Sequence, residues 1–279
     1  MKTNNPANNQ LQLVGKVCII TGGAGFLGRQ HAAAICEAGG IPVIWDIDKE
    51  SIDEALKQLE DQYRIKGLGM VADITNLESI QTAFSEVVDK TGRLDVLINN
   101  AANDPKVKGT EDTSWSRFEN YKLEMWNFDL AVGLTGAFLC SQVVGIYMVK
   151  NGGGVIVNIA SDLGVISPDQ RLYKKEGLAE DMQPVKPITY SIIKHGLLGL
   201  TKYLATYWAE NNIRVNAISP GGVYTDQPDE FVGKLNKLIP MGRMASAGEY
   251  KAALLFLCSE ASSYMTGQNL IVDGGRTVW

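Results

Sequence analysis

A short apolar strand, a glycine-rich turn and a helix follow one another near the amino terminus, and this order constrains the fold most. Residues 16–21 are an apolar run without helical periodicity, and residues 29–38 have the character of a helix. Between them Gly23, Gly25 and Gly28 satisfy the G-x-G-x-x-G spacing. Glycines there allow a tight turn and close approach of the backbone to a pyrophosphate, which the helix N-terminus then faces. The segment therefore predicts a dinucleotide-binding site.

Strand-like and helical segments alternate along the whole chain of 279 residues. This alternation predicts an α/β fold: a Rossmann-like, doubly wound parallel sheet with helices on both faces. No Gly/Ser- or Pro-rich linker and no internal repeat divides the chain, and 45% apolar residues suffice for one buried core. We therefore expect a single catalytic domain over residues 13–279, preceded by a polar, Asn-rich disordered tail over residues 1–12.

The second predicted strand, residues 41–45, ends at an acidic residue that bears on the choice of cofactor. Asp46 lies 18 positions after Gly28, where a carboxylate would bind the adenosine ribose hydroxyls. The same carboxylate would repel a 2′-phosphate, so the sequence predicts NAD rather than NADP. Two alternatives stay open: Asp46 could cap a helix that begins near Ser51 or lie in a solvated turn, and Asp48 is close enough to be confused with it.

Tyr190 and Lys194 are the pair of side chains that points to chemistry. Four residues apart on a helix, they project from the same face. An ammonium near a phenol stabilises the phenolate and lowers the tyrosine pKa from about 10 toward neutrality. The phenol could then exchange a proton with a substrate oxygen. A packed ring beside a solvated amine is the alternative interpretation.

With these features the chain resembles the short-chain dehydrogenase/reductase family, single-domain type, over about residues 14–275. Further motifs follow in the family's order. They are Asp73 within residues 71–75, the Asn-Asn-Ala-Ala run of residues 99–102, the strand end at residues 158–161, the loop of residues 219–225 and the last strand and turn at residues 268–275. The resemblance implies an NAD-dependent oxidoreductase that interconverts a secondary alcohol and a carbonyl.

The resemblance also implies roles for particular residues. Tyr190 would be the general acid/base, Lys194 would lower its pKa and bind the nicotinamide ribose, and Ser161 would hydrogen-bond the substrate oxygen. The residues implied to contact the cofactor are Gly22, Gly25, Phe26, Leu27, Gly28, Asp46, Ile47, Asp73, Ile74, Asn100, Ala101, Ala102, Tyr190, Lys194, Pro220, Gly221, Val223 and Thr225.

Three departures from the family pattern are visible. Gly133 stands where a family helix usually carries an asparagine that anchors a water beside the lysine. The middle glycine of the turn falls one position early, which is closer to the epimerase-like branch. Ser161 and Tyr190 are 29 positions apart, more than is usual, so residues 166–188 are interpreted as an insertion.

The composition argues against several kinds of partner. A net charge of −5 and a pI near 5.2 speak against nucleic acid as a partner. The four cysteines have no metal-ligand spacing and the two histidines join no cluster, so no metal is expected. Reduced thiols and the lack of a signal peptide predict a cytoplasmic protein.

Residues 130–149 are uncharged and long enough for a membrane span. Their interspersed polar residues and the family resemblance favour instead a core helix at the interface of a homodimer or homotetramer.

The substrate is expected to be a polar small molecule, sugar-like or a sugar phosphate. The two segments placed to shape the pocket, residues 103–115 and 166–188, are polar, and residues 167–190 resemble oxidoreductases encoded with bacterial surface-sugar pathways. A cation of the insertion could meet a substrate phosphate or carboxylate, unless these residues only form a salt-bridged surface flap. The cations are Arg171, Lys174, Lys175 and Lys186.

Two rival functions stay open. The glycine-turn variant suggests an epimerase or dehydratase, although such enzymes usually append a longer region than the one that follows Gly275. Gly133 suggests a catalytically silent NAD-binding sensor, although such a binder has no need of the serine, tyrosine and lysine together.

Overall fold

The computed structural model describes residues 10–105 and 113–279, in which seven parallel strands form one sheet with helices on both faces. The strand order is β3-β2-β1-β4-β5-β6-β7. The strands are β1 (Val17–Thr21), β2 (Ile41–Asp46), β3 (Leu68–Val71), β4 (Val96–Asn99), β5 (Gly154–Ile159), β6 (Ile213–Pro220) and β7 (Asn269–Val272). The predicted doubly wound α/β fold is confirmed. Most of the predicted tail, residues 1–9, lies outside the described ranges.

The helices of the described residues pack on both faces of this sheet. They are α1 (Phe26–Glu37), α2 (Lys49–Tyr63), α3 (Leu77–Thr91), α4 (Leu123–Leu130), α5 (Gly136–Lys150), α6 (Ile188–Tyr207), α7 (Asp229–Asn236) and α8 (Lys251–Cys258). Side chains of α1, α2 and α8 bury one face of the sheet, and side chains of α3, α5 and α6 bury the other. Because both faces are covered, the central strands are nearly continuous apolar runs.

The strand order reverses between β1 and β4, so a crevice opens at the carboxyl ends of these two strands. In open parallel sheets, ligands bind at this switch point. The glycine turn leaves the end of β1, the Asn-Asn-Ala-Ala run leaves β4, and Ser161 follows β5. The fold therefore brings motifs that are far apart in the sequence to one edge of the sheet.

Helices α4 and α5 are joined by a π-helical turn, Ala131–Thr135. In the described part of the chain, the combined stretch Leu123–Lys150 is the one helix long and apolar enough to cross a membrane by length and composition. Cys140, Val144 and Met148 of α5 are fully buried against the sheet, as in a core helix. Its apolar composition is therefore accounted for in part by packing within the domain.

The predicted insertion, residues 166–188, forms an ordered cover over the crevice. Leu172 is buried beside Leu235 of α7. The side chain of Gln183 accepts a hydrogen bond from the Lys175 amide at 2.8 Å and donates to the Lys175 carbonyl oxygen at 2.9 Å. The segment is therefore held both by its own backbone and by α7, and α6 begins where it ends.

Candidate active site

A cavity of about 890 Å³ lies at the carboxyl ends of the strands. All residues with a predicted cofactor or catalytic role line it. They are Gly22, Gly25, Phe26, Leu27, Gly28, Asp46, Ile47, Asp73, Ile74, Asn100, Ala101, Ala102, Ser161, Tyr190, Lys194, Pro220, Gly221, Val223 and Thr225. The structure thus brings the predicted site residues together, and the role of each stays a prediction.

The glycine turn before α1 has a shape that larger residues would not allow. Gly22 has a φ of +59°, in the left-handed region that favours glycine. A Cβ on Gly28 would lie 2.3 Å from the Gly22 carbonyl oxygen. Gly25 is the N-cap of α1 and makes no side-chain capping bond, while the first amides of a helix have no acceptor within it. This cradle fits the pyrophosphate of a dinucleotide.

Asn100 holds the turn from the end of β4. Its Nδ2 donates to the carbonyl oxygens of Thr21 and Gly22 at 2.9 and 3.0 Å. The Thr21 hydroxyl oxygen accepts from the amides of Asn100 and Ala101 at 3.0 and 3.1 Å. These bonds fix the exit of β1 against the exit of β4, so the cradle is preorganised.

Asp46 ends β2 beside the turn. Its Oδ2 accepts from the Ala24 amide at 3.1 Å, and its Oδ1 accepts from the Ile47 amide at 2.8 Å. The N-cap of α2 is Asp48, whose side chain accepts from two amides of the first turn. The alternative in which Asp46 caps this helix is therefore wrong, because Asp48 holds that position.

Ser161, Tyr190 and Lys194 meet at the other end of the cavity. Tyr190 and Lys194 both belong to α6, and Lys194 Nζ lies 5.7 Å from the centre of the tyrosine ring. This Nζ donates to the Ile159 carbonyl oxygen at 2.8 Å and is buried. Ser161 follows β5 and hydrogen-bonds to Tyr190. The predicted convergence of a hydroxyl, a phenol and an amine is present, despite the insertion that separates the first from the other two.

Burial sets the proton affinities of the tyrosine and the lysine. It lowers the pKa of Lys194 to about 8. It raises the pKa of Tyr190, which the Asp104 carboxylate raises further, while the hydrogen bond with Ser161 lowers it. The sequence predicted a Tyr190 pKa lowered toward neutrality, and the structure differs because desolvation of the phenol outweighs the effect of the distant ammonium. The phenol is therefore protonated at neutral pH.

A buried ion pair lies behind Ser161. Asp162 Oδ1 accepts from the Ser161 hydroxyl at 2.8 Å, and Asp162 Oδ2 accepts from Arg276 Nη1 at 2.6 Å. The side chains of Asp162 and Arg276 are 4% and 8% exposed, and both line the cavity. The sequence analysis missed both residues. The available signal was their position, since Asp162 follows Ser161 and Arg276 follows Gly275.

Gly133, at the position of the family's asparagine, lies in the π-helical turn. A Cβ on Gly133 would lie 2.7 Å from Ile193 Cγ2, so Ile193 fills the space beside it. Lys194 donates to the Ile159 carbonyl oxygen. That carbonyl anchors the Lys194 side chain in this structure.

Of the four cations in the insertion, Lys186 is the one that lines the cavity. Arg171 and Lys174 form ion pairs outside it, with their side chains 82% and 52% exposed. For these two, the salt-bridged surface flap is the correct description. Lys186 Nζ instead lies 2.6 Å from Asp104 Oδ1 and 3.8 Å from the centre of the Tyr190 ring.

The other segment predicted to shape the pocket, residues 103–115, is described only in part, because residues 106–112 lie outside the described ranges. Asp104 lines the cavity. The Thr113 hydroxyl donates to the Met182 carbonyl oxygen, and the Val185 amide donates to the Ser116 hydroxyl at 3.1 Å. The first contact joins this segment to the insertion, and the second joins the residue just after the segment to it, so the segment and the insertion form one wall of the substrate end.

A family model of short-chain dehydrogenases, described as enoyl-(acyl carrier protein) reductase, matches residues 23–277. The chain belongs to the short-chain dehydrogenase/reductase family. As a member of this family, it is an NAD(P)-dependent oxidoreductase that acts on CH–OH groups. The match extends over nearly the whole chain, and all seven strands of the described residues belong to one sheet, as in the single-domain type that the sequence motifs predict.

Known members of the family resemble the chain over nearly its full length. It is 34% identical to the 3-oxoacyl-[acyl-carrier-protein] reductase FabG of Thermotoga maritima, over 96% of this chain and 100% of the relative. It is 33% identical to an NAD-dependent glycerol dehydrogenase of Listeria innocua, over 97% of each chain. The crystal structure of a gluconate 5-dehydrogenase from Burkholderia cenocepacia with NADP and tartrate is 27% identical, with a TM-score of 0.83 over 98% of this chain and 99% of that one.

Proposed function

We propose that this short-chain dehydrogenase/reductase uses NAD to interconvert a secondary alcohol and a carbonyl on a polar, sugar-like or sugar-phosphate substrate. The observation that carries the proposal is the convergence of Ser161, Tyr190 and Lys194 at one end of a cavity whose other end holds the glycine turn and Asp46. A dinucleotide bound at the glycine turn would extend along this cavity toward Ser161, Tyr190 and Lys194. The cavity would then hold the reacting carbon of the substrate next to the nicotinamide ring.

The residues of the chain supply proton transfer and charge stabilisation, while the bound nicotinamide carries the hydride. Tyr190 acts at the substrate oxygen: its phenol donates a proton when a carbonyl is reduced, and its phenolate accepts one when an alcohol is oxidised. Ser161 stabilises the charge that develops on this oxygen, for which its hydroxyl turns away from Asp162. Lys194 is fixed to the Ile159 carbonyl. It keeps positive charge near the phenolate and would bind the nicotinamide ribose.

Asp46 supports NAD over NADP. Its carboxylate ends β2 beside the glycine turn. Oδ1 accepts the amides of Ile47 and Asp48, whereas Oδ2 accepts only the Ala24 amide and keeps a lone pair for a ribose hydroxyl. A 2′-phosphate at the same place would face a fixed negative charge.

The charged lining of the substrate end supports a polar substrate. Two ion pairs lie there, Asp104 with Lys186 and Asp162 with Arg276. Carboxylates accept hydrogen bonds from sugar hydroxyls, and the cations can meet a phosphate or carboxylate. A fatty acyl chain would desolvate these charges without replacing their hydrogen bonds. The names glycerol dehydrogenase and gluconate 5-dehydrogenase, given to two relatives, denote small hydroxylated substrates and support the same class.

We also propose a cytoplasmic homodimer or homotetramer. In support, Phe138 and Ile146 of α5 are about half exposed on the side away from the sheet, with Ile192 of α6 exposed as well. Apolar side chains clustered on neighbouring helices are typical of a subunit interface.

A substrate screen tests the proposed function. Purified protein is incubated with polyols, sugars, sugar acids and sugar phosphates, with NAD or NADP, and NADH or NADPH formation is followed by absorbance. We expect turnover with NAD on a polar alcohol. Tyr190→Phe should lower this turnover by at least about a thousandfold, within the range of general acid–base catalysis, while calorimetry should still detect NAD binding. Full turnover by Tyr190→Phe would reject the assignment.

The same screen separates the rival functions. An epimerase would convert its substrate without net NADH formation, so each reaction is also analysed by chromatography for isomers. A silent sensor would bind NAD and convert nothing in any arm.

A further inference from the structure

Lys186, near the end of the insertion, lies over the ring of the catalytic tyrosine. Its Nζ is 3.8 Å from the centre of the Tyr190 ring, whereas Lys194 Nζ is 5.7 Å away. The Lys186 side chain is only 13% exposed. Its backbone is held as well, because the Lys186 amide donates to Gln170 Oε1 at 2.9 Å. The cation nearest to the phenol ring therefore comes from the insertion rather than from α6.

Asp104 is the counter-charge of Lys186. Its Oδ1 lies 2.6 Å from Lys186 Nζ, and its side chain is 40% exposed. The two residues are 82 positions apart in the sequence and meet only because the insertion folds over the end of β4. An anion beside a cation cancels most of the field that the cation exerts on a third group. Asp104 therefore decides how much of the Lys186 charge Tyr190 experiences.

We propose that Lys186 is a second positioning residue for the acid/base step, stabilising the Tyr190 phenolate through its charge over the ring, and that Asp104 sets the strength of this effect. The proposal rests on the proposed function, in which Tyr190 exchanges the proton. It assigns the insertion a chemical role in addition to shaping the pocket. Lys186 touches the ring of Tyr190 and acts through it.

Other charged or titratable groups also face Tyr190. From α6 there is Lys194, from the end of β5 Asp162, and from the insertion Tyr173. Asp104, Asp162 and Tyr173 raise the pKa of Tyr190. Lys186 also faces Lys194 and lowers its pKa. The groups of α6 and β5 are common to all the variants below, so those variants isolate the contribution of the Asp104–Lys186 pair.

The two members of the pair have opposite effects in this account. Lys186→Met removes a cation that favours the phenolate, so the Tyr190 pKa should rise. Asp104→Asn removes an anion that disfavours the phenolate, so the pKa should fall. Charges at about 4 to 6 Å in a partly buried site shift a pKa by about one unit. A purely structural role in holding the insertion would move both variants in the same direction.

The first test needs neither cofactor nor substrate. The ultraviolet absorbance of tyrosinate is followed from about pH 9 up to the pH at which the wild-type fold is lost, because burial raises the Tyr190 pKa above the ordinary tyrosine value of about 10. Because the chain has ten tyrosines, each protein is compared with the same protein carrying Tyr190→Phe, and the difference reports Tyr190. We expect more ionised Tyr190 in Asp104→Asn than in wild type, and no more in Lys186→Met than in wild type. Equal ionisation in Asp104→Asn and wild type would overturn the proposal whether or not a substrate is known.

The second test uses the pH dependence of alcohol oxidation, in which the phenolate is the active form and the rate rises with pH through the Tyr190 pKa. The rising limb should move up by about one pH unit in Lys186→Met and down by about one unit in Asp104→Asn. Lys186→Arg should restore the wild-type profile. Lys174→Met, in the same insertion but outside the cavity, is the matched control and should leave the profile unchanged. A raised KM with an unmoved profile in Lys186→Met would instead make Lys186 a substrate-binding cation and contradict the proposal.

Discussion

At the scale of single residues, we propose that Asp46 determines the choice of cofactor. It accepts the Ala24 amide and the Ile47 amide, while Asp48 caps α2. We predict that Asp46→Ser weakens NAD binding by about tenfold or more, the usual range for losing hydrogen bonds to a charged group, and raises the relative use of NADP. Calorimetry with both cofactors measures this. Asp48→Ser keeps a capping residue and is the matched control. Unchanged cofactor preference in Asp46→Ser would contradict the role.

Burial of the single residue His31 makes the stability of the protein depend on pH. Within the described residues, neither ring nitrogen of His31 has a hydrogen-bond partner, and burial lowers its pKa from the ordinary value of about 6.5 to about 4. The unfolded chain therefore binds the proton first, and stability is lost as the pH falls from about 6.5 toward 4, by about 3 kcal/mol in all. Urea unfolding at neutral and acid pH should show this loss in wild type and in His195→Leu, but a smaller one in His31→Leu. The same acid loss in His31→Leu would rule out His31 as its source.

At the scale of elements, the junction of α4 and α5 is fitted to α6. A Cβ on Gly133 would lie 2.7 Å from Ile193 Cγ2 and 3.0 Å from Ile193 Cδ1. We predict that Gly133→Ala lowers the free energy of unfolding by about 1–3 kcal/mol through overpacking. Combined with Ile193→Ala, the loss should be smaller than the sum of the single losses. Gly199→Ala, in α6 with open space around the Cβ, is the control. Additive losses would mean that the two residues do not compete for space.

The same elements show what the sequence could predict. The glycine turn, the acid after β2 and the Tyr190–Lys194 spacing are local patterns tied to one strand or one helix, so their placement followed from the order of elements. Asp162 and Arg276 are 114 positions apart, and Asp104 and Lys186 are 82 apart. Such pairs depend on how an insertion and a terminal turn fold over the sheet. The hydrophobic periodicity of a short segment contains no information about these long-range contacts. The Tyr190 pKa could not be predicted for the same reason, because burial depends on all the surrounding elements.

At the scale of the whole molecule, the exposed apolar face of α5 predicts self-association. Phe138 and Ile146 are 46% and 52% exposed. Light scattering should give a mass of two or four times the 30.3 kDa chain. Phe138→Glu with Ile146→Glu should lower that mass, because charges would be buried at the interface. Val14→Glu, at an exposed apolar residue in another part of the molecule, should leave the mass unchanged. A monomeric wild-type protein would contradict the prediction.

The most direct measurement follows the hydrogen itself. The alcohol selected by the screen is labelled with deuterium at its carbinol carbon, and the nicotinamide product is analysed by mass spectrometry. The account predicts one deuterium per NADH formed by wild-type protein, and neither NADH nor label transfer with Tyr190→Phe at neutral pH. Unlabelled NADH, or label transfer that survives loss of the Tyr190 hydroxyl, would contradict it.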